Sequence, residues 1–186
     1  MDGYSTESDA GDGSESASDQ SMATTETKEN EGMEFMNESI KSFENLQSLE
    51  LCNPSHDFLL YLMKALAQEV PSTLQKITLS MENHHDERLP ESLPGIDIFL
   101  ASEQSSSILE VELSCHAISL KGIERLIAGL STNRSVETLR LTALDGISSD
   151  GAEMLSQFFH SNSSGNIKHV DICVFDGVRS IWKDLF

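Results

Sequence analysis

Few residues of this 186-residue sequence could do covalent or metal chemistry once their spacing is considered. His84, His85, Asp86 and Glu87 are metal-ligating types. Four adjacent side chains cannot easily converge on one ion, and no second cluster with ligand spacing accompanies them. They read as a polar insertion loop. Serine, histidine and aspartate are plentiful, yet there is no Gly-x-Ser-x-Gly turn, no Cys/His pair in a supporting motif and no phosphate-cradling glycine loop. No catalytic residue, metal ligand or cofactor is expected, and the chain reads as non-enzymatic. Cys52, Cys115 and Cys173 are odd in number and show no Cys-x-x-Cys spacing, which suits a reducing compartment.

Polar side chains in strict alternation with leucines offer a different kind of chemistry, that of a binding surface. They are Ser48, Glu50 and Cys52; Lys76, Thr78 and Ser80; Glu110, Glu112 and Ser114; Thr138, Arg140 and Thr142; His169, Asp171 and Cys173. Between them stand Leu49 and Leu51, Ile77 and Leu79, Val111 and Leu113, Leu139 and Leu141, Val170 and Ile172. Period-2 alternation puts the apolar set on one side of a strand and the polar set on the other. Of the polar set, Glu50, Lys76, Thr78, Glu110, Glu112, Arg140, His169 and Asp171 are the candidate partner-binding residues. The strip is net acidic, with Lys76 and Arg140 inside the field of Glu50, Glu110, Glu112 and Asp171. It therefore predicts a protein partner with a basic or mixed-charge surface.

The elements that must hold these residues repeat along the chain. The fullest unit is Ile108 to Asn133, where Ile108, Val111 and Leu113 have strand spacing and Ile123, Leu126, Ile127 and Leu130 have helical spacing. Leu46, Leu74, Val136 and Ile167 begin four further units, at offsets of 28, 34, 28 and 31 residues along the series from 46 to 74, 108, 136 and 167. The first unit continues into a helix started near Pro54, Ser55 and Asp57, with an apolar stripe of Phe58, Leu59, Leu62, Met63 and Leu66 that Val70 and Pro71 terminate. The second has its helix around Ile96 to Ala101, behind the insertion that holds His84 to Glu87. The fourth carries Ile147, Gly151, Leu155, Phe158 and Phe159 on its helical side, and the fifth closes with Val178, Ile181, Trp182 and Leu185. Neither a strand nor a helix of this kind buries its apolar face alone, so each unit needs the next. Phe35, Met36, Ile40 and Phe43 are expected to form a helix capping the first unit.

Strand signature and period together resemble the leucine-rich repeat family, in particular its longer cytosolic class. That class includes ribonuclease inhibitor, the GTPase-activating protein for Ran and the sensor ends of NOD-like receptors. Asn53 and Asn83 fit the family position after the strand, while His116 and Leu144 depart from it. The resemblance covers residues 43 to 186 and implies an α/β solenoid of about five repeats, a curved horseshoe segment with parallel strands on the concave face and helices on the convex face. It also implies binding of a protein partner on the concave strand face. GTPase activation like that of the Ran activator is an alternative, as is a role as the substrate-recognition or receptor part of a larger repeat protein.

Charge supports the same class of function. The formal net charge is −19, of which residues 1–40 carry −10 through 11 acids against Lys28. An acidic chain without a basic patch is repelled by phosphate backbones and anionic lipid, so neither nucleic acid nor a membrane surface is an expected partner. Residues 1–38 are Ser-, Thr-, Gly- and acid-rich and read as a disordered tail, leaving 39–186 as the repeat domain. Thr6 and Ser16 each have an acid three residues on (Asp9, Asp19), a spacing read by acidophilic kinases. No apolar run approaches the ~18 residues of a membrane span, and the polar, acidic start differs from secretory and mitochondrial leaders. A cytoplasmic or nuclear protein is expected, monomeric or weakly dimeric through an uncapped end.

Overall fold

A computed structural model of the chain describes residues 34–81, 92–144, 146–161 and 166–174. Most of the expected tail, Asn83, the loop around His84 to Glu87 and the expected closing helix at Val178 to Leu185 lie outside the described residues. Among the described residues the fold is α/β, with five parallel strands in one open sheet and five helices. Residues 34–41 form α1, followed by β1 (Ser48–Cys52), α2 (His56–Gln68), β2 (Lys76–Met81), α3 (Ile96–Ala101), a 3₁₀ turn (Glu103–Ser107), β3 (Glu110–Cys115), α4 (Leu120–Thr132), β4 (Thr138–Ala143), α5 (Ser149–His160) and β5 (His169–Val174). Helical residues 34–38 thus fall on the tail side of the boundary expected at residue 38.

The strands lie in the sheet in chain order, β1-β2-β3-β4-β5, each parallel to the next. Connections of one hand then return every helix to the same side of the sheet. Accordingly α2 packs on α3, α3 on α4 and α4 on α5. The register aligns Leu49, Ile77, Val111, Leu139 and Val170 in one row and Leu51, Leu79, Leu113, Leu141 and Ile172 in another. These are the rows the alternation implies. With the helix stripes all of their residues but Val170 form a single core running through Leu59, Met63, Leu66, Phe99, Leu100, Ile123, Leu126, Leu130 and Leu155. Each such side chain is worth ~1.5–3 kcal/mol once its neighbours cover it.

Local chemistry starts and joins the units. Ser55, Ser119 and Ser148 each cap a helix, their Oγ atoms accepting from the N–H groups of Phe58 (3.3 Å), Gly122 (3.2 Å) and Gly151 (3.2 Å). The short α3 begins instead at Gly95, whose φ of 79° suits glycine. Close helix packing is set by Gly129, where a Cβ would lie 2.8 Å from Leu100 Cβ and 3.2 Å from Asp97 Cα. Asn133 is buried and fully bonded. Its Nδ2 donates to Leu100 O (2.9 Å) and Ser105 Oγ (2.8 Å), and its Oδ1 accepts from the N–H groups of Ser135 (2.9 Å) and Val136 (2.8 Å).

Three aromatic positions differ from expectation. Phe58 is 39% exposed because it sits at the first turn of α2, where the stripe made by Leu59, Leu62, Met63 and Leu66 turns away from it. At the N-terminal end Ile40 is buried and Met36 partly covered, but Phe35 and Phe43 are 69% and 50% exposed. Phe43 lies past the end of α1, in the turn that leads to β1. Hydrogen bonding and charge hold α1 to α2 through Asn37 to Gln68 (3.1 Å) and Lys41 to Glu69 (3.2 Å).

Candidate protein-binding face

The side of the sheet opposite the core is a grid of three rows. Register sets Ser48, Lys76, Glu110, Thr138 and His169 side by side; then Glu50, Thr78, Glu112, Arg140 and Asp171; then Cys52, Ser80, Ser114, Thr142 and Cys173. All eight candidate binding residues fall in the first two rows, on one continuous surface, here termed the outward face. A parallel β-ladder repeats every ~4.8 Å, so Glu50 and Asp171 stand roughly 19 Å apart across four spacings.

Charges in the middle of this face satisfy one another. Lys76 Nζ lies 3.0 Å from Glu110 Oε1 and 2.7 Å from Glu112 Oε2, and Arg140 Nη1 bonds Glu110 Oε1. Two of these contacts are diagonal, Lys76 to Glu112 and Arg140 to Glu110, since long side chains reach one step along the neighbouring strand. The four form a neutral cluster. Lys76 is held above its usual pKa by its hydrogen bonds to Glu112 and Glu110, against an opposing effect of burial. Glu50 and Asp171 have no basic partner among the described residues, so the acidity of the strip is concentrated at its two ends.

The β5 end of the face has a cavity. Thr138, Arg140, Lys168, His169, Val170 and Asp171 line an open cavity of about 600 Å³. It gathers three of the candidate residues and adds Lys168, which the alternation did not select because it precedes β5. Lys168 bonds Glu137 at 2.7 Å. The signal that could have found it is the equivalent start of β2 and β3, where Gln75 and Leu109 meet the adjacent strand in the same way.

None of the three cysteines is in a disulfide: Cys115 is buried and Cys52 and Cys173 are exposed on the outward face. The Cys173 thiol is pushed up, first by burial and then by the Asp171 carboxylate, to which it donates at 3.6 Å. A thiol held protonated is a poor nucleophile. Among the described residues, no group of three or more His, Cys, Asp or Glu is placed to hold a metal ion. No helix among them is long and apolar enough to cross a membrane. No family model matches the sequence, and neither a curated protein nor a solved structure matches it.

Proposed function

We propose that the chain is a non-enzymatic interaction module of the leucine-rich-repeat kind, in the longer class that includes ribonuclease inhibitor. In this reading the outward face receives a protein partner. The observation that carries it is the unbroken register of five strands, the first four each followed by a helix, which turns alternate residues into one polar surface while their neighbours face the apolar core. Helices need ~10 Å of lateral room and strands ~4.8 Å, so a one-sided stack curves and its strand face becomes concave. A concave surface about five strands wide suits a folded or extended polypeptide better than a small molecule.

The partner's surface is of mixed charge. Opposite the neutral cluster of Lys76, Glu110, Glu112 and Arg140 it presents polar groups, and opposite Glu50 and Asp171 it presents bases. The protein works in the cytoplasm or nucleus, as a monomer or a weak dimer.

Affinity capture with the full chain tests this reading. Thr78→Arg with Ser114→Arg places bulk and charge on the outward face while keeping all four residues of the ion-paired cluster. Lys121→Glu with Glu124→Arg changes an exposed part of α4 on the helix side. The reading predicts that the first pair abolishes capture of a defined set of proteins and the second leaves it intact. Equal capture by both removes the outward face as the binding surface.

A further inference from the structure

β1 ends the sheet, and its backbone shows what it lacks. Gln47 O accepts from Lys76 N at 3.1 Å and Asn53 N donates to Ser80 O at 2.7 Å. Alternate residues of a parallel strand bond to opposite sides, so residues 47, 49, 51 and 53 face β2. The N–H and C=O groups of Ser48, Glu50 and Cys52 therefore face the open edge, and no hydrogen bond from another described residue meets them. The core-facing Leu49 and Leu51 are only partly buried, whereas Val111 and Leu113 in the same rows are at 0% exposure.

The charge at this end is one-sided. Glu34, Glu38 and Glu44 lie on α1 and the turn entering β1, Glu50 has no basic partner among the described residues, and Lys41 is engaged by Glu69. Like charge disfavours two occupants. A second copy paired antiparallel along all five residues of β1 would set Glu50 opposite Glu50. Residues 1–33 carry nine acids against Lys28 and no alternation of apolar residues.

We propose that the open edge of β1 takes up an extended segment of a basic protein partner as a sixth strand, one in which apolar residues alternate with Lys or Arg. Its main chain bonds to Ser48, Glu50 and Cys52, its apolar residues cover Leu49 and Leu51, and its bases meet Glu50. The site is the main chain of the sheet edge and shares only Glu50 with the outward-face reading, so the effect of removing the peptide's main-chain donors tells the two apart.

The test uses the full chain and a nine-residue peptide alternating valine and lysine, with binding read by fluorescence anisotropy at physiological salt. Amide exchange followed by NMR maps the site. The expected result is saturable binding that slows exchange at Ser48, Glu50 and Cys52. Methylating alternate peptide nitrogens to remove the main-chain donors should weaken binding at least tenfold, and Glu50→Lys should weaken it about tenfold. Ser48→Pro, at the first residue of the strand, should also reduce binding while leaving the β1–β2 bonds in place. Equal binding of the methylated peptide would reveal charge attraction alone and overturn the proposal. So would an absence of binding, a concentration-dependent dimer that buries β1, or slow exchange of the three amides before any peptide is added.

Discussion

Val111 and Leu113 of β3 occupy the same two rows of the sheet as Leu49 and Leu51 of β1, yet the first pair is fully buried and the second only partly. The side chains are of the same kind and their strands alternate in the same way. What differs is the number of neighbouring strands among the described residues, two for β3 and one for β1. Burial of these rows is conferred by the adjacent strands, and the energy of a leucine depends on where in the sheet it stands. The same contrast separates the neutral, self-paired middle of the outward face from its acidic ends.

The contrast is broken or sharpened most strongly by leucine truncation. Leu113→Ala should cost about 3–5 kcal/mol and Leu51→Ala about 1–2 kcal/mol in urea unfolding, since the first leaves an enclosed cavity and the second a site solvent can reach. Equal losses would mean that β1 is covered as well as β3. Asn133→Ala should cost about 2–3 kcal/mol, because the part-buried N–H of Ser135 and the buried N–H of Val136 lose their acceptor and the Leu100 carbonyl is left with Ser105 Oγ alone. Asn133→Asp keeps the acceptor for both N–H groups but sets a carboxylate oxygen against the Leu100 carbonyl in place of the donor, and should rescue little. A smaller cost, about 1–2 kcal/mol, is expected for Gly129→Ala, in which better helix propensity partly offsets the 2.8 Å approach to Leu100.

The smallest effect belongs to Lys76→Met, at or below about 1 kcal/mol for a pair still open to solvent. Its pH dependence carries the sign. The folded-state pKa of Lys76 lies above the ordinary 10.5, so its contribution is full below pH 10.5 and is lost as pH rises through the folded value. The raised thiol of Cys173 acts in the same direction above its ordinary 9.0. The stability gap between the native chain and Lys76→Met should therefore persist at pH 7–9 and close in more alkaline solution. A gap that widens with pH would contradict the Lys76 cluster.

The apolar rows were legible because two local signals coincide in every unit, period-2 alternation and a near-constant spacing. Together they place Leu49 beside Ile77, and Leu139 beside Val170, without three-dimensional information. Even the six-residue α3 could be located, since Ile96, Phe99 and Leu100 keep helical spacing after the insertion. Phe35, Phe43 and Phe58 were not legible. Phe43 and Phe58 stand at the margin of a helix, where one residue of slip turns a side chain from core to water, and Phe35 lies on α1, of which Ile40 is buried and Met36 partly covered. The pairing of Lys76 and Arg140 with Glu110 and Glu112 was hidden for another reason: the residues were recognised singly, but the choice of diagonal over direct neighbours depends on side-chain reach. Lys168 escaped because it precedes the strand that the alternation defines.

Amide hydrogen exchange on the unliganded full chain, resolved residue by residue, tests the central claim most directly. If position in the stack decides what each unit can do, β3 should exchange slowly at every position from Glu110 to Cys115. β1 should instead alternate, slow at Leu49 and Leu51 and fast at Ser48, Glu50 and Cys52. Uniformly slow exchange along both strands would contradict the account, because β1 would then have a second neighbour and its edge would be closed.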